Sequence, residues 1–122
     1  MQWLKSPPFL VERFSDATDV LLADPTVERR KMFGYPACFV GGHMFTGLHQ
    51  DRWVVRLDEA GMAELTAAGG TDFEPMPGRP MRGFVVLPEA VRSNDVALAG
   101  WLDRALAHAR SMPPKPGKQP RR

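Results

Sequence analysis

The sequence predicts an α+β domain: a mostly antiparallel sheet of about five strands, with helices packed on one face. Three observations carry that prediction. Short β-like runs follow one another from Thr26 to Leu57, and the turns between them are too short for a parallel crossover. Helical stripes of apolar residues precede and follow this run. The chain has 122 residues, 43% hydrophobic and 25% charged, which is one domain of ordinary globular composition. That balance excludes global disorder, and no apolar run approaches the length of a membrane span.

Each element has its own signal. Ser6-Pro7 predicts a helix start, with Ser6 as N-cap and Pro7 at the first helical position, where a missing N–H costs nothing. Leu10, Phe14, Ala17 and Leu21 then set one apolar stripe on a helix over about residues 8–23, ended by Pro25. Thr26–Phe33 is the first strand, closed by Gly34-Tyr35-Pro36. Ala37–Val40 and His43–Leu48 flank Gly41-Gly42, a two-residue hairpin signal because both glycines take positive φ. That register places Val40 opposite His43 and Cys38 opposite Phe45. Arg52–Leu57 is the fourth strand, with Trp53, Val55 and Leu57 alternating with Val54 and Arg56.

Asp58 caps a second helix over about residues 59–68, and Gly69-Gly70 supplies its left-handed end. Thr71–Pro80, with three prolines and a glycine, reads as a loop. Met81–Leu87 is the fifth strand, stopped by Pro88. The final helix begins near Ser93-Asn94-Asp95 and runs to about Arg110, with Leu98, Trp101, Leu102, Ala105, Leu106 and Ala109 as its stripe. The order is α-β-β-β-β-α-β-α.

Charge divides the chain unevenly. Lys and Arg total 16 against 14 Asp and Glu, a formal +2 with a pI near 9.0. Four of the 16 cations, Lys115, Lys118, Arg121 and Arg122, fall in the last ten residues, which hold no acid. The remaining 12 basic and 14 acidic residues leave positions 1–112 at about −2. Residues 1–112 therefore read as the folded domain, and 113–122 as a disordered, basic, Pro-rich tail. No secretory leader is read at the N-terminus, and one cysteine, Cys38, forms no internal disulfide; both point to the cytoplasm.

Catalytic patterns are missing. No serine sits in G-x-S-x-G, no glycine loop has the phosphate-cradling pattern, and no carboxylates pair. Cys38, His43 and His49 lack a fourth ligand and the tight spacing of a zinc site. The expectation is a non-enzyme with no metal and no cofactor. Two segments carry more than a loop needs. Glu28-Arg29-Arg30-Lys31-Met32-Phe33-Gly34 sets three cations beside Met and Phe, with Arg30 and Met32 on one side of a strand and Arg29, Lys31 and Phe33 on the other. Pro77-Gly78-Arg79-Pro80-Met81-Arg82-Gly83-Phe84 repeats the mixture. Arg and Met are enriched at protein interfaces, so Arg30, Lys31, Met32, Phe33, Arg56, Arg79, Met81 and Arg82 are the candidate interaction residues.

The same segments carry a family resemblance. Arg30-Lys31-Met32-Phe33-Gly34 with Gly42-His43-Met44-Phe45, and the stretch from Phe73 to Pro88, resemble the N-terminal domain of the TfoX/Sxy family over about residues 8–110. The chain departs from the family's usual pattern at Gly34-Tyr35-Pro36-Ala37, and His43 and Arg56 stand where Lys is common. It is similar to a stand-alone branch without the regulators' second, helical domain. The resemblance implies a bacterial, cytoplasmic α+β domain related to competence regulators that act with the cyclic-AMP receptor protein. The expected function is a regulatory adaptor that contacts a protein partner, a transcription factor among the choices, with room for a homodimer. The alternative is direct nucleic-acid binding through Lys115, Lys118, Arg121 and Arg122, with Arg29, Arg30, Lys31, Arg52 and Arg56 as a sheet-side patch.

Overall fold

The computed structural model describes residues 5–115. Lys118, Arg121 and Arg122, three of the four cations of the expected arm, lie outside the described residues. The elements run α1 (Pro8–Asp19), a 3₁₀ turn (Val20–Ala23), β1 (Val27–Met32), β2 (Tyr35–Val40), β3 (His43–His49), β4 (Arg52–Arg56), α2 (Glu59–Ala67), β5 (Thr71–Asp72), β6 (Phe84–Val86), α3 (Glu89–Arg92) and α4 (Asp95–Ser111). One sheet holds all six strands in the order β1-β2-β3-β4-β6-β5, with every neighbouring pair antiparallel. The α+β class and the antiparallel sheet are as the sequence predicts; the strand count is six rather than five.

The extra strand comes from the segment expected to be loop. Thr71 and Asp72 pair with Val86 and Val85 before the prolines begin. The strand expected over Met81–Leu87 is shorter, because Gly83 adopts φ +87 and the chain turns through 81–83 before pairing. α1 starts where the stripe predicts, but its cap lies one residue later than Ser6. Pro8 is its first residue and Pro7 its N-cap, and no side chain caps it. The caps of the other two long helices form as read: Asp58 accepts from the Gly61 N–H at 2.7 Å and Asn94 from the Ala97 N–H at 3.0 Å.

The helices cover one face. Phe14, Leu21, Cys38, Phe45, Trp53, Leu65, Leu98 and Leu102 belong to one buried cluster between helices and sheet. Trp53 is its centre: fully buried, 5.1 Å from the Phe14 ring, its indole N–H donating to Thr46 Oγ1 at 2.9 Å. Thr46 in turn donates to the Val54 carbonyl at 2.8 Å, so both buried hydrogen-bonding groups are satisfied.

A register shift separates Cys38 from its expected partner. Val40 opposes His43 as predicted, but a bulge between Cys38 and Phe39 puts Cys38 opposite Thr46 instead of Phe45. One extra residue of β3 is accommodated there, which lets Phe45 reach the helix-side core. At the same end of the sheet, residues 113–115 leave α4 and run against the β2–β3 turn. The Lys115 N–H donates to the Gly41 carbonyl at 3.0 Å and His43 Nε2 donates to the Pro113 carbonyl at 2.7 Å.

Candidate functional site

Strand alternation divides the cations of β1. Arg29 points to the helices, where it donates to the Ser15 carbonyl, Thr18 Oγ1 and Asp19 Oδ1 at 3.0, 3.0 and 2.7 Å. Lys31 alternates with Arg29 onto that side. Arg30 and Met32 take the opposite face, which none of the described helices covers. Register brings Phe39 of β2, Met44 of β3, Arg52, Val54 and Arg56 of β4, and Phe84 and Val86 of β6 to the same open face.

That face is paved with rings. Tyr35, His49, Phe73 and Phe84 form a row with successive centroids 5.2, 5.5 and 6.4 Å apart. Phe39, Phe73 and Phe84 keep only 3%, 4% and 5% of their surface exposed although none of the described helices lies over them. Arginine side chains take part in covering them. Arg30 lies 3.9 Å from the Phe39 centroid, Arg52 5.4 Å from Phe73 and Arg56 5.7 Å from Phe84. A planar, weakly hydrated guanidinium stacks on a ring while its aliphatic stem shields apolar surface, which Lys does less well.

The Pro-rich segment 73–83 is strapped to this face. Phe73 anchors one end in the second buried cluster, with Val54 and Phe84. The Met81 N–H donates to the Phe73 carbonyl at 2.9 Å, and the Arg79 N–H donates to the Met76 carbonyl across Gly78, which has φ +75. Arg52 Nη1 donates to the Glu74 carbonyl at 3.2 Å while its Nη2 donates to His49 Nδ1 at 3.0 Å. Nδ1 is thus an acceptor and the ring proton sits on Nε2. Burial, with the Arg52 charge second, holds the His49 pKa below its ordinary 6.5.

Of the eight residues singled out by sequence, Arg30, Met32 and Arg56 share the open face, and Arg79, Met81 and Arg82 are exposed on its strap. Lys31 points away at the edge strand. Phe33 stands apart at the β1–β2 tip, 80% exposed and at φ +55, a conformation that disfavours a side chain. Sequence reading placed Arg52 only in the sheet-side patch of the nucleic-acid alternative, and left Tyr35, His49 and Phe73 out of the site. The alternation Arg52-Trp53-Val54-Val55-Arg56 already held the signal for Arg52, since Trp53 must face the core. The ring row had no such signal, because its four members come from β2, β3, β6 and the strap.

Charge is polarised between the layers. The helices carry Glu12, Asp16, Asp19, Glu59, Glu64, Glu89, Asp95 and Asp103 against Arg13, Arg92, Arg104 and Arg110. The strands carry Arg29, Arg30, Lys31, Arg52 and Arg56 against Glu28 and Asp72. Among the described residues, no three His, Cys, Asp or Glu groups gather as metal ligands. Burial pushes the Cys38 thiol up to about 11, against the opposing effects of the Thr18 hydrogen bond and Arg29; such a thiol is a poor nucleophile. No described helix is long and apolar enough to cross a membrane.

An antiparallel α+β sandwich with one covered face and one arginine-covered face is the class of domain these features define. Residues 20–109, about three quarters of the chain, match the family model of the TfoX N-terminal domain. The chain belongs to the TfoX N-terminal domain family. The match begins after α1, whose Phe14 nevertheless packs on Trp53 at the centre of the core. The comparison with curated proteins returns no match.

Proposed function

We propose that this chain is a non-enzymatic regulatory adaptor of the cytoplasm, acting on transcription through contact with a partner protein. The observation that carries the reading is the family match over residues 20–109, whose resemblance is to competence regulators. The site agrees with it in chemistry: the open face offers guanidinium groups and apolar side chains, the mixture enriched at protein interfaces, and no convergent acid, base or nucleophile. The nucleic-acid alternative gains from the cationic strands. It loses from the rings, which lie beneath guanidinium groups and leave no bare platform on which bases stack.

Deletion of the encoding gene tests this. Transcript levels of a defined gene set should change on deletion and return when the full chain is restored. Unchanged transcripts, together with failure of the purified chain to rebind any protein recovered with it, would overturn the proposal.

A further inference from the structure

We infer that the open face of the sheet, centred on Arg30, Arg52 and Arg56, docks an acidic segment of the partner protein; this rests on the adaptor reading above. Charge complementarity selects the occupant. Among the strand residues on the open face, Arg30, Arg52 and Arg56 stand against Glu28, while the helices are net acidic. Among the described residues Arg52 and Arg56 form no ion pair; each rests over a ring instead, Arg52 spending two N–H bonds within the chain. A guanidinium resting over a ring spends none of its N–H donors on that contact, so a carboxylate can still take up its fork. Arg79 and Arg82, exposed on the strap, extend the same charge.

A small cleft, more polar than apolar in its lining, lies beside Arg30. It has a volume of about 160 Å³ and opens between the start of β1 and the Gly41-Gly42 turn, lined by Thr26, Glu28, Arg30, Phe39 and Val40. It is smaller than the roughly 300–1,000 Å³ of metabolite pockets and is of a size for a single side chain. A segment rich in carboxylates would set them on the arginines and place one small side chain in the cleft. A second copy of this chain is the weaker occupant, because two copies meeting through this face would set like charges together.

The test is calorimetric titration of the full-length chain with a 12-residue Glu/Leu peptide, its Lys/Leu counterpart and a 12-nucleotide oligo-dT as probes. The acidic peptide should bind and the basic one should not. Arg30→Glu and Arg56→Glu, each checked by circular dichroism and melting, should weaken binding by about tenfold or more. Arg104→Ala, on α4, should leave it within about twofold. Arg30 is exposed, so its variant reports even where Arg56→Glu fails to fold. Absence of acidic-peptide binding overturns the inference, as does equal loss from Arg104→Ala. Tighter binding of oligo-dT, lost through the same substitutions, reassigns the face to nucleic acid. If the face fails while gene deletion still alters transcripts, the adaptor reading stands and only this surface falls.

Discussion

On the helix side of the molecule, Arg13 ends on Asp95, Arg29 on Asp19 and Arg110 on Asp24, and Arg104 ends on Glu64 while lying over the Trp101 ring. On the open face, Arg52 and Arg56 end over phenylalanine rings, and Arg30 does so while also reaching Glu28 at 3.2 Å. The two arrangements are worth similar amounts, about 0.5–1 kcal/mol for each partly exposed contact. What differs is the chemistry left over. A paired guanidinium is electrically satisfied, whereas one lying on a ring still carries an uncompensated charge and outward N–H donors. The helix layer spends its charges on holding the fold together, and the open face keeps some of them in reserve.

The largest expected effect tests the covered face. Trp53→Ala removes the ring packed on Phe14 and the donor to Thr46, and should cost about 3–5 kcal/mol in urea unfolding. A loss near 1 kcal/mol would mean that the helix side is not the principal core. Phe84→Ala makes the matching probe on the open face. Its ring is 5% exposed and lies under Arg56, so the loss should be about 2–3 kcal/mol, at or below the lower end for a core phenylalanine. A loss under about 0.5 kcal/mol would show that the arginines do not make that face a second core.

A smaller effect follows from His49. Its folded pKa lies below 6.5, so on acidification the unfolded chain takes up a proton before the folded one does. Its contribution is fully present above pH 6.5 and is lost as pH falls below that value. Melting temperature should therefore drop as pH falls below about 6.5, and His49→Gln should flatten that drop. An unchanged slope in the variant would remove His49 from the account. The smallest effect is at the hairpin tip. Phe33 is exposed and left-handed, so Phe33→Gly should raise stability by about 0.5–1 kcal/mol, read from chemical denaturation. A loss instead would show that the exposed ring has a contact within the fold.

The parts of the fold legible in the sequence are those set by local chemistry. Asp58 and Asn94 are caps in both readings, the Gly41-Gly42 turn fixes Val40 opposite His43, and the stripe on α4 faces the sheet. Errors fall where neighbours decide. Thr71 and Asp72 look like loop residues and become a strand because β6 offers a free edge. Cys38 loses its partner to a bulge that the β2 sequence does not announce. Arg29 and Arg30 are adjacent cations of one motif, and alternation sends one to Asp19 and the other to Phe39.

By itself, then, the sequence determined the class: period, caps and turn residues act over a few bonds and leave little choice beyond an antiparallel sheet with helices on one side. It also determined that the basic tail carries much of the high pI. Only the tertiary structure decided that the near-neutral body is polarised, with cationic strands and acidic helices. Only there do Arg30, Arg52 and Arg56, without Arg29 and Lys31, form one surface over buried rings. Their spacing along the chain says nothing of it, because a sheet joins residues through register and long-range packing, where distance in sequence no longer measures distance in space.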